Sequence, residues 1–171
     1  GGVRPGEKVV DMYCGVGLYG RDLARLGAHV IGIERDSEAA SAASRDAPEA
    51  FTVWTGAAED RMEEALPAEV VVLNQPRVGV DAKVTEALQA AGPPRLIYVS
   101  CDPATLARDI GRLSSSYEVV AGRAFDLFPQ TAHVEVVVVL KRTLSEPEAR
   151  SESDTATAPE ISERALSCHG R

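Results

Sequence analysis

The chain lacks any apolar run near the ~18 residues that a membrane-spanning helix needs. Its first residues, Gly1-Gly2-Val3-Arg4-Pro5-Gly6, are not followed by an apolar stretch, so they do not read as a signal peptide. They read as the loop before a first strand, and the chain is expected to be a piece of something longer. Positive charge is also scarce, with 18 Lys and Arg against 26 Asp and Glu and a net charge of −8. Phosphate contacts supply most of the affinity of RNA-binding proteins. Either this chain binds no nucleic acid, or another segment supplies the positive surface. Cysteine is rare, with Cys14, Cys101 and Cys168 at unrelated spacings. That pattern gives neither a disulfide framework nor a zinc site, and a reducing cytoplasm is the simplest compartment. No second His or Cys lies at ligand spacing from His133, so no metal is expected. No internal repeat is present.

What is there reads as one domain. Apolar runs alternate with helical patterns up to about Arg142. Strands are expected at Lys8–Met12, His29–Ile33, Phe51–Trp54, Glu69–Leu73 and Arg95–Val99. Helices are expected at Gly20–Leu26, Ser37–Ala47, Ala82–Ala91 and Pro103–Leu113, the last with Asp102 as N-cap. Short buried strands separated by helices indicate an α/β fold with a mostly parallel, doubly wound sheet. Tyr117–Val120 and Val134–Leu140 have no full helix between them, so they are expected to pair antiparallel at the sheet edge. Residues 1–142 make up the expected domain. Residues 143–171 are rich in Ser, Glu, Ala, Thr and Pro and read as a disordered tail.

Asp11-Met12-Tyr13-Cys14-Gly15-Val16-Gly17 joins the first strand to the first helix. Glycines let a backbone approach a ligand closely, and a helix N-terminus favours anionic groups. Glu34 ends the second strand about 20 residues on, where an acid can bind ribose hydroxyls. Together they point to an adenosine-containing cofactor. The spacing alone does not separate a dinucleotide from S-adenosylmethionine, and the fifth strand with its antiparallel end tilts the reading to the latter.

In open α/β sheets, ligands bind outside the carboxyl ends of the strands. Asn74-Gln75-Pro76-Arg77 follows the fourth strand there, and Ser100-Cys101-Asp102-Pro103 follows the fifth. A lone cysteine is more often packing filler, but a helix N-terminus favours the anionic form of a thiol. Asn74 alone reads equally well as a turn former. A third cluster runs from Phe125 to Glu135, with His133 a supporting polar residue and Glu135 heading an apolar strand. An edge-strand charge is the plain alternative for Glu135.

Three motifs make the chain resemble the RNA 5-methyluridine methyltransferases, which act on bacterial 23S rRNA and on the tRNA T-loop. They are Asp-Met-Tyr-Cys-Gly-Val-Gly at 11–17, Val-Ser-Cys-Asp-Pro-Ala-Thr-Leu-Ala-Arg-Asp at 99–109, and Asp-Leu-Phe-Pro-Gln-Thr-Ala-His-Val-Glu at 126–135. The resemblance covers about Val9 to Arg142. It implies a Rossmann-like class I methyltransferase that uses S-adenosyl-L-methionine, with Cys101 as nucleophile and Glu135 as proton acceptor. Tyr13, Gly15, Gly17, Glu34 and Asn74 match cofactor-binding positions. It further implies an RNA partner, rRNA or tRNA, met by a cytoplasmic monomer through an N-terminal RNA-binding region that this chain lacks.

The chain departs from the family at several positions. Asn74-Gln75-Pro76-Arg77 stands where Asp-Pro-Pro-Arg is usual, and an amide lacks a carboxylate's charge. Leu18 replaces a small polar residue, and Ala57 an acid or amide. Each change thins the polar shell around the cofactor. Two alternatives stay open: a catalytically degenerate cofactor- or RNA-binding module, and an amino-group methyltransferase, some of which place Asn after the fourth strand. The latter need no thiol.

Overall fold

The computed structural model describes residues 2–75, 78–126 and 134–143. The expected tail from residue 144 on lies outside the described residues, and so do Cys168, His133, Pro76 and Arg77.

Seven strands form one sheet: β1 (Lys8–Met12), β2 (His29–Glu34), β3 (Phe51–Thr55), β4 (Val70–Asn74), β5 (Arg95–Ser100), β6 (Tyr117–Phe125) and β7 (Glu135–Arg142). Five helices connect the first strands: α1 (Leu18–Arg25), α2 (Ser37–Ser44), α3 (Ala58–Ala65), α4 (Ala82–Ala91) and α5 (Pro103–Leu113). The sheet order is β3-β2-β1-β4-β5-β7-β6. β1 to β5 pair parallel, while β7 runs antiparallel to both β5 and β6. The mostly parallel α/β sheet with an antiparallel end matches the expectation from the sequence.

Strand alternation divides the core between the two faces. Val10 and Met12 pack with Met62, Leu88, Leu106 and Leu113 from α3, α4 and α5. Val9, one residue earlier, packs with Ala24 and Ala43 from α1 and α2 and with Phe51. Because both faces are covered, β1 and β4 are apolar runs rather than alternating ones. Asp36, Asp81 and Asp102 cap α2, α4 and α5 by accepting first-turn backbone N–H groups.

The chain steps outward from β1 to β2 and β3, then returns across β1 to β4. The strand order therefore reverses between β1 and β4, where open sheets form a ligand crevice at their carboxyl ends.

Two elements exceed the sequence reading. Helix α3 was not expected, because it buries only Ala58, Met62 and Ala65 and its N-cap, Ala57, offers no capping side chain. Strand β6 runs on to Phe125 rather than ending at Val120. It is an edge strand exposed over most of its length, with a register shift between Val119 and Ala121. Its pairing comes from β7 rather than from an alternating apolar face.

Candidate active site

The turn after β1 takes three left-handed steps, at Tyr13 (φ 61°), Gly15 (φ 55°) and Gly17 (φ 80°). A non-glycine residue there costs on the order of 1–3 kcal/mol, so Tyr13 is held by its surroundings. The Cys14 N–H donates to the Ile33 carbonyl at 3.0 Å, and the Gly17 N–H to the Cys14 carbonyl at 2.8 Å. The first bond pins the turn to β2, and the second closes the turn on itself. Glu34, at the end of β2, accepts from the Gly15 N–H and the Asp36 N–H, each at 2.8 Å. One oxygen is used in each bond, which fixes the carboxylate while leaving lone pairs free for hydroxyl donors. A side chain at Gly15 would project into open space, whereas one at Gly17 would lie 2.7 Å from the Phe51 ring. Gly17 is thus demanded by packing against Phe51.

Beside this turn lies a cavity of about 1060 Å³. Its walls are Tyr13, the Glu34–Asp36 and Gly56–Glu59 segments, Asn74 with Gln75, Val78–Ala82, and Arg108 with Arg112 on α5. Burial, with the Glu59 charge in support, pushes the Tyr13 phenol up to about 12, so it stays protonated. Asn74 is half-buried at the end of β4. Gln75 is buried, and its Nε2 donates to Ser100 Oγ at 3.2 Å. Its Oε1 is buried without a hydrogen-bond partner, an arrangement that usually costs about 1–3 kcal/mol unless a donor arrives. Ser100 Oγ in turn donates to the Asp102 carbonyl and accepts the Asp102 N–H. The end of β4 is thereby tied to the residues on either side of Cys101.

Cys101 is half-buried in the bend between β5 and α5 and does not line the cavity. Asp102 caps α5 through the Ala104 and Thr105 N–H groups, each at 2.9 Å. The β5–β7 ladder ends on Ser100 opposite Val136. The next residue along β5 is Cys101, and the next back along β7 is Glu135. Glu135 is half-buried, and its Oε2 is enclosed without a hydrogen-bond partner among the described residues. Tyr19, in the first turn of α1, has its phenol raised first by burial, then by the Glu135 and Asp11 charges.

The structure therefore gathers Tyr13, Glu34 and Asn74 around one cavity. Gly15 reaches that wall through Glu34, while Gly17 stands behind it. Cys101 and Glu135 sit together on the same end of the sheet, at β5 and β7. Sequence reasoning passed over Asp11, which is fully buried on β1 and has no well-formed hydrogen bond to either carboxylate oxygen among the described residues. Burial, opposed by the nearby Gly20 backbone N–H and helped by the Glu34 charge, pushes its carboxyl up to about 7. It also passed over Tyr19 and the buried Asp109. Among the described residues, no group of three or more His, Cys, Asp or Glu side chains could hold a metal ion. No described helix is long and apolar enough to cross a membrane.

Residues 60–143 match the model of the tRNA (Uracil-5-)-methyltransferase family. The chain is 40% identical over 144 residues to an uncharacterized RNA methyltransferase of Bacillus cereus, covering 80% of this chain and 31% of that protein. It is 42% identical over 142 residues to one from Gloeobacter violaceus, again covering 80% of this chain and 31% of that protein. The chain thus spans about a third of the length of the curated relatives it matches. Among solved structures it is similar to the Pyrococcus abyssi tRNA (uracil-54, C5)-methyltransferase in complex with S-adenosyl-L-homocysteine. That likeness has a TM-score of 0.69 and 35% identity, over 80% of this chain and 35% of that one. A TehB-like SAM-dependent methyltransferase from Corynebacterium glutamicum shares the fold alone, with a TM-score of 0.64 and 19% identity over 82% of this chain and 83% of that one.

Proposed function

We propose that this chain, which is similar to the tRNA (uracil-5-)-methyltransferases, methylates C5 of a uridine in RNA through a covalent bond to Cys101. The observation that carries this reading is the placement of Cys101 and Glu135 one step beyond the Ser100–Val136 pair.

The cavity suits S-adenosyl-L-methionine. Glu34 offers fixed acceptors for ribose hydroxyls, the open space at Gly15 admits a close ligand, and Gln75 Oε1, unpartnered among the described residues, can accept from a ligand donor. Tyr13 and Asn74 complete the walls. The bound cofactor supplies an electrophilic methyl group. The rest falls to the chain's own residues. Uracil C5 is a weak nucleophile until the Cys101 thiolate adds to C6, forming a sulfur–carbon bond and an enolate-like ring whose C5 would take the methyl group, with S-adenosylhomocysteine as the leaving group. Glu135 then takes the C5 proton, the C5–C6 double bond reforms, and the sulfur leaves. A carboxylate with one oxygen shielded from water, and with no partner for it among the described residues, is suited to accept that proton. The target base must leave its stack to reach these groups.

The reaction needs a reduced thiol, which a reducing cytoplasm provides. Its RNA, rRNA or tRNA, is held by a positively charged region beyond this acidic domain, which acts as a monomer. Residues 1–142 form the catalytic domain in this reading. The test is incubation with 5-fluorouridine RNA and S-adenosylmethionine, in which the missing C5 proton prevents release. A gel-stable adduct that disappears in Cys101→Ala supports the proposal. An adduct that survives the substitution, or one mapped to Cys14, refutes it.

A further inference from the structure

Asp109, on α5, has a side chain with no solvent exposure, yet it carries four polar contacts. It accepts from the Tyr98 hydroxyl of β5 at 2.6 Å and from the Val80 N–H at 2.8 Å. It also accepts from Arg108 Nε at 2.9 Å and from the Arg112 guanidinium at 3.3 Å. Burial works against its charge, but the Arg108 and Tyr98 hydrogen bonds outweigh it and hold the carboxyl below its usual range. The two arginines reach back to the same loop: Arg108 donates to the Val78 carbonyl at 3.0 Å and Arg112 to the Val80 carbonyl at 3.3 Å. Between those carbonyls, Gly79 sits at φ +84°, and a Cβ there would lie 2.7 Å from Asp109 Oδ2 and collide with Arg108. The loop is pressed onto the carboxylate with no room to spare.

These contacts link two parts of the proposed machinery. Val78 to Val80 form one wall of the cavity, and α5 begins two residues after Cys101. We propose that Asp109 is a positioning residue that couples the cofactor cavity to the nucleophile, by locking the 78–80 wall, β5 and α5 into one unit. The wall and the Cys101 bend then hold or lose their places together. This rests on the function proposed above only in naming the cavity's ligand and the thiol's role.

A single charged hydrogen-bond hub can do this where apolar packing cannot. Loop 78–80 contributes one buried apolar side chain, Val80, while Val78 is largely exposed. Removing one partner of a buried charged bond also strands the others, so the loss spreads to every segment tied to the hub.

The test compares the parent chain with Asp109→Asn. Because that change can unfold the domain, Arg108→Gln serves as a second variant that keeps the carboxylate. Three readouts are taken on folded protein: amide deuterium exchange over residues 78–82, the iodoacetamide alkylation rate of Cys101 by peptide mass spectrometry, and S-adenosylhomocysteine affinity by calorimetry. Asp109→Asn is expected to speed exchange and Cys101 alkylation each about fivefold and to weaken S-adenosylhomocysteine about tenfold. Arg108→Gln should give smaller changes in the same directions. Exchange around Glu34 and Gly56, cavity-lining segments outside this hub, should stay at the parent rate. The proposal is overturned if the loop loosens while Cys101 alkylation stays within twofold of the parent, or if exchange rises evenly across the sheet. If the parent binds no S-adenosylhomocysteine, the proposed function fails, and exchange with alkylation still decides the coupling.

Discussion

Cys101 and Glu135 are the residues immediately beyond the Ser100–Val136 pair that closes the antiparallel ladder between β5 and β7. The ladder thereby brings a thiol and a carboxylate separated by 34 positions in sequence to one end of the sheet. The antiparallel edge is what makes this possible. A parallel seventh strand would carry Glu135, its first residue, to the opposite rim.

The two described cysteines should differ sharply in reactivity. Cys14 is buried, and burial with the Asp11 and Glu34 charges pushes its thiol up to about 12. Only thiolates alkylate readily. Peptide mapping after limited iodoacetamide treatment at pH 8 should find Cys101 modified at least tenfold faster than Cys14. Equal rates would mean that the Gly turn opens far more often than its hydrogen bonds allow.

Asp11 should make stability depend on pH. Its carboxyl titrates near 7 when folded and near ~3.9 when unfolded. Between those values the folded chain holds a proton that the unfolded chain has released. Stability therefore falls as pH rises through this window and levels off above it. Asp11→Asn removes the effect. The variant should match the parent near pH 4 and be more stable at pH 8, by on the order of a few kcal/mol. Thermal melts from pH 4 to 8 measure this, and a difference that does not grow with pH rules it out.

Asn74 places an amide on the cavity wall where the related family usually has a carboxylate. If the cavity holds the cofactor, Asn74→Asp should tighten S-adenosylhomocysteine or raise turnover, by about three- to tenfold. Titration calorimetry and single-turnover methylation measure the two effects. Unchanged or poorer values in both would show a site adapted to the amide, or a domain that binds without catalysing.

Local pattern carried most of the fold. β1, α4 and α5 begin and end where their apolar runs and caps place them, because their own residues fill the core. Helix α3 was missed because two alanines and Met62 are its whole buried face. β6 was cut short because its pairing with β7, rather than its own side chains, extends it. The candidate site divides in the same way. Motifs single out Cys101, Glu135 and Glu34 because residue type and spacing mark them. Asp109 closes the 99–109 motif, but its partners are not legible there, because only the fold brings Tyr98 and Val80 to it. Asp11 reads as part of an apolar strand, and only the fold encloses it as a fully buried carboxyl.

The central claim is that Cys101 and Glu135 work on the same base, one bonding to it and the other releasing it. Substituting the base should spare addition and methyl transfer but slow elimination, by ~10²–10⁴-fold for loss of a general base. Glu135→Gln, given ordinary unfluorinated RNA and S-adenosylmethionine, should therefore accumulate a covalent RNA–protein complex. After nuclease digestion, intact-protein mass spectrometry should show a methylated uridine nucleotide on Cys101. Normal turnover by the variant, or complete absence of the adduct while Cys101 remains alkylatable, would contradict the account.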